Sequence, residues 1–177
     1  MNKTFHTVFL GLLIAQSLAL FVIEGMLPVP FIAPGAKLGL ANLITVIALY
    51  TMPHWRDALL VLLVRIMLAT MFGGGPTIFI YSLAGGLLSF TAMLIIRKLG
   101  KSKLSIIGVS AVGAFFHNVG QLAVAVTVIQ STLLWLYLPV LALVGIVTGI
   151  AIGFVANLTV PHIKKLPGFA NWTTNTI

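Results

Sequence analysis

The stretch FFHNVGQ, residues 115–121, places three strongly polar side chains in the middle of a long apolar run. Inside a bilayer an unpaired polar group costs free energy, so such side chains need hydrogen-bond partners, a cavity or a ligand. We therefore expect His117, Asn118 and Gln121 to line a pocket within a membrane-spanning helix bundle.

The composition indicates an integral membrane protein. Of the 177 residues, 60% are hydrophobic and 7% are charged, whereas a soluble domain usually carries about 25% charged residues. A single membrane domain, residues 1–177, accounts for this length. The net charge of +8 is not a nucleic-acid signal, because the basic residues stand mostly in short tracts between apolar runs, where they fix orientation. The chain has no cysteine, which excludes disulfides and cysteine metal sites.

The apolar runs predict an all-α protein with six transmembrane helices, since roughly 20 residues cross the hydrocarbon core. A signal peptide is the alternative for the first run, but its apolar core is too long and no small-residue cleavage site ends it. The second run is short, and we expect it to be tilted or partly re-entrant. The predicted spans are residues 6–27, 38–52, 58–72, 77–96, 104–129 and 133–160.

The distribution of basic residues predicts the orientation of the bundle. Six spans place both termini on one side of the membrane. Eight basic residues fall on that side, only Lys37 falls on the other, and Arg65 belongs to neither face. Loops rich in lysine and arginine stay in the cytoplasm, so we expect cytoplasmic N and C termini.

Arg65 is the most informative single residue. Its position nine residues after Arg56 places it about 14 Å into the bilayer, where a charge costs about 3 kcal/mol. Glu24 could pair with Arg65 or with Lys37, and this ion pair is the structural alternative. One carboxylate cannot neutralise both cations, however. An anionic ligand group would, because arginine binds phosphate or carboxylate oxygens in a bidentate manner.

Spacing along the fifth span supports a polar face. Gly113, His117 and Gln121 are four residues apart and therefore lie on one side of a helix, and Asn42 lies within about two turns of the outer end of the second span. Hydrogen bonding between helices is the alternative explanation for such amides. The predicted ligand-binding residues are Lys37, Asn42, Arg65, His117, Asn118 and Gln121, with no catalytic residue, metal or cofactor.

The first span carries small residues at regular spacing. Gly11, Ala15 and Ala19 recur every four residues, which permits close approach of another helix. Packing inside the bundle explains such a stripe as readily as a docking face for a partner subunit does.

Several motifs occur together along the chain: APGAKLGLAN at 33–42, then Arg65, YSLAGG at 81–86, and Gly113 followed by HNVGQ at 117–121. In this order they resemble the Gx transporter family, many of whose members are labelled heptaprenyl diphosphate synthase component I. The resemblance covers most of the chain as far as Gln121. Beyond that, the last span matches in character only.

That family is similar to the substrate-binding S components of energy-coupling factor (ECF) transporters. The resemblance implies a six-helix bundle in the plasma membrane of a prokaryote, with a pocket near the outer face capped by residues 28–37. It also implies partners, namely a transmembrane coupling subunit that docks on the stripe containing Ala15 and Ala19, and two cytoplasmic ATPase subunits. The ligand would be a small anion such as a flavin-type nucleotide, a quinone precursor or a prenyl phosphate.

The synthase label suggests a different function. Elongation of prenyl diphosphates needs clustered aspartates to hold magnesium, and Asp57 is the only aspartate in the chain. We therefore expect no enzymatic activity, and the alternative function is a non-catalytic membrane accessory of isoprenoid or quinone biosynthesis. A self-contained secondary transporter is disfavoured because the halves show no internal repeat.

Overall fold

The computed structural model describes residues 3–26, 39–100 and 104–169. Within these ranges the chain forms helices and no strand, which confirms the predicted all-α class. The α-helices are α1 (Lys3–Met26), α2 (Asn42–Thr51), α3 (Trp55–Ala69), α4 (Gly75–Gly100), α5 (Ile106–Ile129) and α6 (Leu138–Lys164). A π-helical turn (Thr70–Gly74) joins α3 to α4, and short 3₁₀ helices occupy Thr132–Tyr137 and Pro167–Phe169.

Four helical segments are long and apolar enough to cross a membrane, and this property supports a membrane protein. They are Lys3–Met26, Gly75–Gly100, Ile106–Ile129 and Thr132–Lys164. The ten residues of α2 extend about 15 Å, half of a hydrocarbon core that is about 30 Å thick. The helix is shorter than the predicted run 38–52 because residues 39–41 form the turn that precedes it. Six membrane-crossing spans therefore stay a prediction.

One end of the bundle, which we call the basic end, holds the starts of α1, α3 and α5 and the ends of α2, α4 and α6. His6 Nε2 of α1 lies 3.2 Å from Asp57 Oδ2 of α3, and Nη1 of Arg97 in α4 donates to the carbonyl of Leu49 in α2 at 2.5 Å. The basic residues that the structure describes at this end are Lys3, Arg56, Arg97, Lys98, Lys164 and Lys165.

The core is built around α2, and α1 lies at the periphery. Eight of the ten α2 residues are buried, in contacts with α1, α3, α5 and α6. By contrast, α1 buries a single line of side chains that faces the bundle. That line consists of Leu13, Ser17, Phe21 and Glu24.

Glycines allow α5 and α6 to pack backbone against backbone. A Cβ atom added at Gly149 would lie 2.7 Å from Cα of Ala111, and one at Gly153 would lie 2.6 Å from Cα of Ile107. Small residues four apart are the usual means of such close helix contact in membranes. The predicted small-residue stripe on α1 thus has a counterpart on α6 that packs inside the bundle.

We expect Gly149→Ala to lower the stability of the protein, because the new methyl group must push two helix backbones apart. Overpacking of this kind typically costs about 1–3 kcal/mol. The measurement is the thermal unfolding midpoint of the full chain in detergent. Gly108→Ala is the matched control on α5, where the nearest heavy atom to the added Cβ is 3.6 Å away; an equal effect of both changes would contradict this packing.

Candidate functional site

Five buried polar or charged side chains from four helices come together around the turn that precedes α2, residues 39–41. We call them the polar cluster, and each is at most 6% exposed. The members are Glu24 of α1, Asn42 of α2, Arg65 of α3, and His117 and Gln121 of α5. The structure thus brings together four of the six predicted ligand-binding residues.

The turn before α2 organises the cluster. Gly39 has a φ of +87°, a conformation that glycine adopts without steric cost. Its N–H donates to Oε1 of Glu24 at 2.5 Å, and the N–H of Leu40 donates to Oε2 at 3.1 Å. The carbonyl of Gly39 then accepts from the N–H of Asn42 at 2.8 Å. The carboxylate therefore fixes the start of α2, where a negative charge is also favoured by the helix dipole.

Two glycines allow the polar side chains to approach one another. A Cβ atom at Gly39 would lie 3.2 Å from Nδ2 of Asn42 and 3.3 Å from Cδ2 of His117. On the other side of the imidazole, a Cβ atom at Gly85 in α4 would lie 3.0 Å from Nδ1. Any larger residue at either position would displace the His117 ring.

His117 and Gln121 form the predicted pair on one face of α5. The amide Nε2 of Gln121 lies 2.9 Å from Nε2 of His117. An amide nitrogen can only donate, so the ring nitrogen accepts and a neutral imidazole carries its proton on Nδ1. That Nδ1 faces the backbone of Gly85 in α4, with which His117 interacts.

Arg65 carries the buried positive charge of the cluster. It is 4% exposed and interacts electrostatically with Glu24 and His117. Glu24 therefore lies close enough to Arg65 to offset part of its charge, which is what the ion-pair alternative requires. Even so, Nε and Nη2 of Arg65 make no hydrogen bond within the described ranges, while both oxygens of Glu24 accept from backbone N–H groups. Unsatisfied buried donors cost about 1–3 kcal/mol, and more when charged.

Two other predicted ligand-binding residues are not seen in the cluster. Lys37 lies outside the described residues. Asn118 is buried, but its Nδ2 donates to the carbonyl of Leu141 in α6 at 2.7 Å, so its amide joins two helices. Gly113 also serves packing, because an added Cβ would lie 2.7 Å from Cγ of Met93. A ligand role for Asn118 and for Lys37 stays a prediction.

The small-residue stripe of α1 faces away from the bundle. Gly11, Ala15 and Ala19 are all exposed, and a Cβ atom at Gly11 would meet nothing within 4 Å. Packing inside this bundle therefore does not account for the stripe. Lipid or a partner helix must cover it in the membrane.

One member of the polar cluster, Glu24, is not among the ligand-binding residues that the sequence predicts. The sequence indicates it only as an ion-pair partner, whereas it also accepts from the Gly39 and Leu40 backbone. A glycine just before a helix and the pair Gly85-Gly86 were available signals, because both mark places where backbones or rings approach closely. Neither glycine signal identifies which side chain packs against the glycine.

A double-mutant cycle will measure the coupling between Glu24 and Arg65. We expect Glu24→Gln and Arg65→Met each to lower the thermal unfolding midpoint, because each leaves an uncompensated buried charge. The double variant should lose less than the sum of the two, with a coupling of about 0.5–3 kcal/mol. Asp57→Asn combined with Arg65→Met is the matched control. Additive losses for both pairs would contradict the interaction.

The sequence matches a known protein family. No curated protein and no solved structure matches the sequence. Residues 13–159 match the family described as heptaprenyl diphosphate synthase component I. This range covers most of the chain and contains every member of the polar cluster, so the protein belongs to the heptaprenyl diphosphate synthase component I family.

Proposed function

We propose that this protein is the membrane-embedded substrate-binding subunit of an ECF-type transporter, and that it captures a small anionic vitamin, cofactor or isoprenoid-related precursor. The observation that carries the proposal is Arg65, a nearly fully buried guanidinium with two donors that lack partners in the described chain. A bound phosphate or carboxylate would supply acceptors for both donors, and arginine favours such bidentate contacts.

The neighbours of Arg65 suit a ligand with both polar and ring-like parts. Asn42, His117 and Gln121 offer directional hydrogen bonds from two other helices. Tyr81 is 2% exposed and lies on α4, four residues before Gly85, whose Cβ position faces His117. Flavin-type nucleotides, quinone precursors and short prenyl phosphates all combine an anionic group with an apolar or ring-shaped body.

The position of the polar cluster supports capture from outside the cell. Along α1, Glu24 lies 18 residues beyond His6, which is about 27 Å at the helical rise. The cluster is therefore remote from the basic end. With six spans and the basic end in the cytoplasm, as lysine and arginine enrichment favours, the cluster lies toward the outer face of the plasma membrane of a prokaryote.

The exposed stripe on α1 supports docking of a transmembrane coupling subunit. Gly11, Ala15 and Ala19 permit close helix approach, and the face is uncovered in the isolated chain. Two cytoplasmic ATPase subunits would supply the energy, so the chain itself needs no nucleotide site and acts as a binding protein and not as an enzyme.

The family description favours a second candidate, a non-catalytic membrane accessory of isoprenoid or quinone biosynthesis. A catalytic role is disfavoured because the only two acidic residues of the chain, Glu24 and Asp57, cannot share a metal ion. Asp57 is held near His6 at the basic end, roughly 27 Å along α1 from Glu24. Turnover of a prenyl diphosphate by the purified chain would favour this candidate over transport.

We expect Arg65→Met and His117→Ala to weaken ligand binding by about 10- to 100-fold, because hydrogen bonds to charged groups contribute about 1.5–3 kcal/mol. Mass spectrometry of small molecules retained by gently purified protein will identify the ligand. Thermal-shift titration with that molecule, or with riboflavin 5′-phosphate and geranyl diphosphate as probes, then gives the affinities.

Asn118→Ala is the matched comparison for that experiment. It removes a buried amide from the same helix at the same depth, but one that faces α6, so we expect a smaller loss of affinity. If both Arg65→Met and His117→Ala bound the retained molecule as well as the unmodified chain, the polar cluster would not be the ligand site.

We expect the double change Ala15→Leu and Ala19→Leu to abolish co-purification with a coupling subunit and ATPases expressed from the same organism. Bulky side chains would hold the partner helix away, while ligand binding by the isolated chain should persist. Ala151→Leu, an exposed alanine on α6, is the control. Association that survives the α1 changes would contradict docking on this face.

A further inference from the structure

A second site lies at the basic end, remote from the polar cluster. A cleft of about 280 Å³ opens there, lined by Trp55 of α3 and by Leu94, Arg97 and Lys98 of α4. Two of the four lining residues are cationic, one is an indole and one is aliphatic. The function proposed above uses none of them.

Arg97 is held in place before any ligand arrives. Its Nη1 donates to the carbonyl of Leu49 near the C-terminal end of α2, and its guanidinium stacks on the Tyr50 ring at 4.8 Å from the centroid. A guanidinium has five N–H donors in a fixed fork, so most of its hydrogen-bonding capacity is left. A preorganised arginine loses less entropy when it binds an oxyanion.

At the basic end the described residues include six lysines and arginines and one acidic residue, Asp57. Lys164 interacts electrostatically with Arg97, and Arg56 lies over the Trp55 ring at 5.7 Å. The chain has only two acidic residues. Glu24 binds the Gly39 and Leu40 backbone, and Asp57 lies beside His6 and His54.

The residues that surround the cleft on α4 are apolar and exposed. On α4, Ile95 and Leu99 are 52% and 75% exposed next to Arg97 and Lys98. Trp55, 38% exposed, is a residue type enriched at membrane interfaces. A cationic cleft with an apolar border and an interfacial tryptophan matches the basic pockets between membrane helices that bind anionic lipid headgroups.

We propose that this cleft binds the phosphate of an anionic phospholipid headgroup. Arg97 contacts the phosphate oxygens through its remaining donors, and Lys98 contributes a second charge. Trp55 packs beside the headgroup, and Leu94 borders the first methylenes of the acyl chains. The bound lipid neutralises part of the basic end and fixes the ends of α2 and α4 relative to the start of α3.

Native mass spectrometry of the full chain titrated with phosphatidylglycerol or phosphatidylcholine in mild detergent tests the site. We expect the chain to bind phosphatidylglycerol more tightly, since one basic residue near a membrane surface contributes about 1 kcal/mol. Lys98→Gln should weaken that binding about fivefold. Arg97→Lys should also weaken it, because the charge remains but the fork is lost.

Lys165→Gln is the matched control, because it removes the same charge from the same end outside the cleft, and it should leave phosphatidylglycerol binding within about twofold. Circular dichroism and the thermal midpoint confirm that each variant is folded. Equal losses of binding for Lys98→Gln and Lys165→Gln, or full binding by Arg97→Lys, would show that the cleft is not a specific phosphate-binding site. Displacement of the lipid by an equal concentration of glycerol phosphate would overturn the lipid assignment in favour of a soluble phosphate.

Discussion

The polar cluster depends on the hydrogen bonds that the buried carboxylate of Glu24 accepts from the backbone. Its two oxygens hold the Gly39 and Leu40 N–H groups at the start of α2, and its charge offsets that of Arg65. One side chain thus joins α1, the turn before α2, and α3. An isolated helix of ten residues is marginally stable in water, so the position of α2 follows from this anchor and from the apolar contacts that enclose it.

Charged residues are distributed differently at the polar cluster and at the basic end. The two acidic residues of the chain lie far apart. Glu24, near the end of α1, belongs to the polar cluster, and Asp57 of α3 lies beside His6 near the start of α1. Within the polar cluster, one buried carboxylate faces one buried guanidinium, so further binding there depends on the unpartnered Arg65 donors of the described chain and not on a large net charge. The basic end is rich in cations, a distribution typical of a surface that faces anionic lipid headgroups.

Periodicity and composition were sufficient to predict the helical class and the residues that share a face. His117 and Gln121 bond as their spacing of four predicts, and Arg65 is buried as its place in an apolar run predicts. The role of Asn118 could not be predicted, because one residue of helix is a rotation of about 100° and local sequence does not fix how α5 is rotated between α4 and α6. The short length of α2 follows from the turn at Gly39, which an apolar count does not detect.

The two faces of α1 connect the proposed ligand site with the proposed docking face. The inner face carries Glu24, whose backbone partner Gly39 lies against Asn42 and His117; the outer face carries the exposed stripe with Ala15 and Ala19. A helix is stiff over this length, so a displacement of α1 by a partner moves the carboxylate and therefore the turn that borders the imidazole. Under the proposed function, binding of ligand and binding of partner are thus linked through one helix. Any change that one produces in the affinity of the other must be reciprocal.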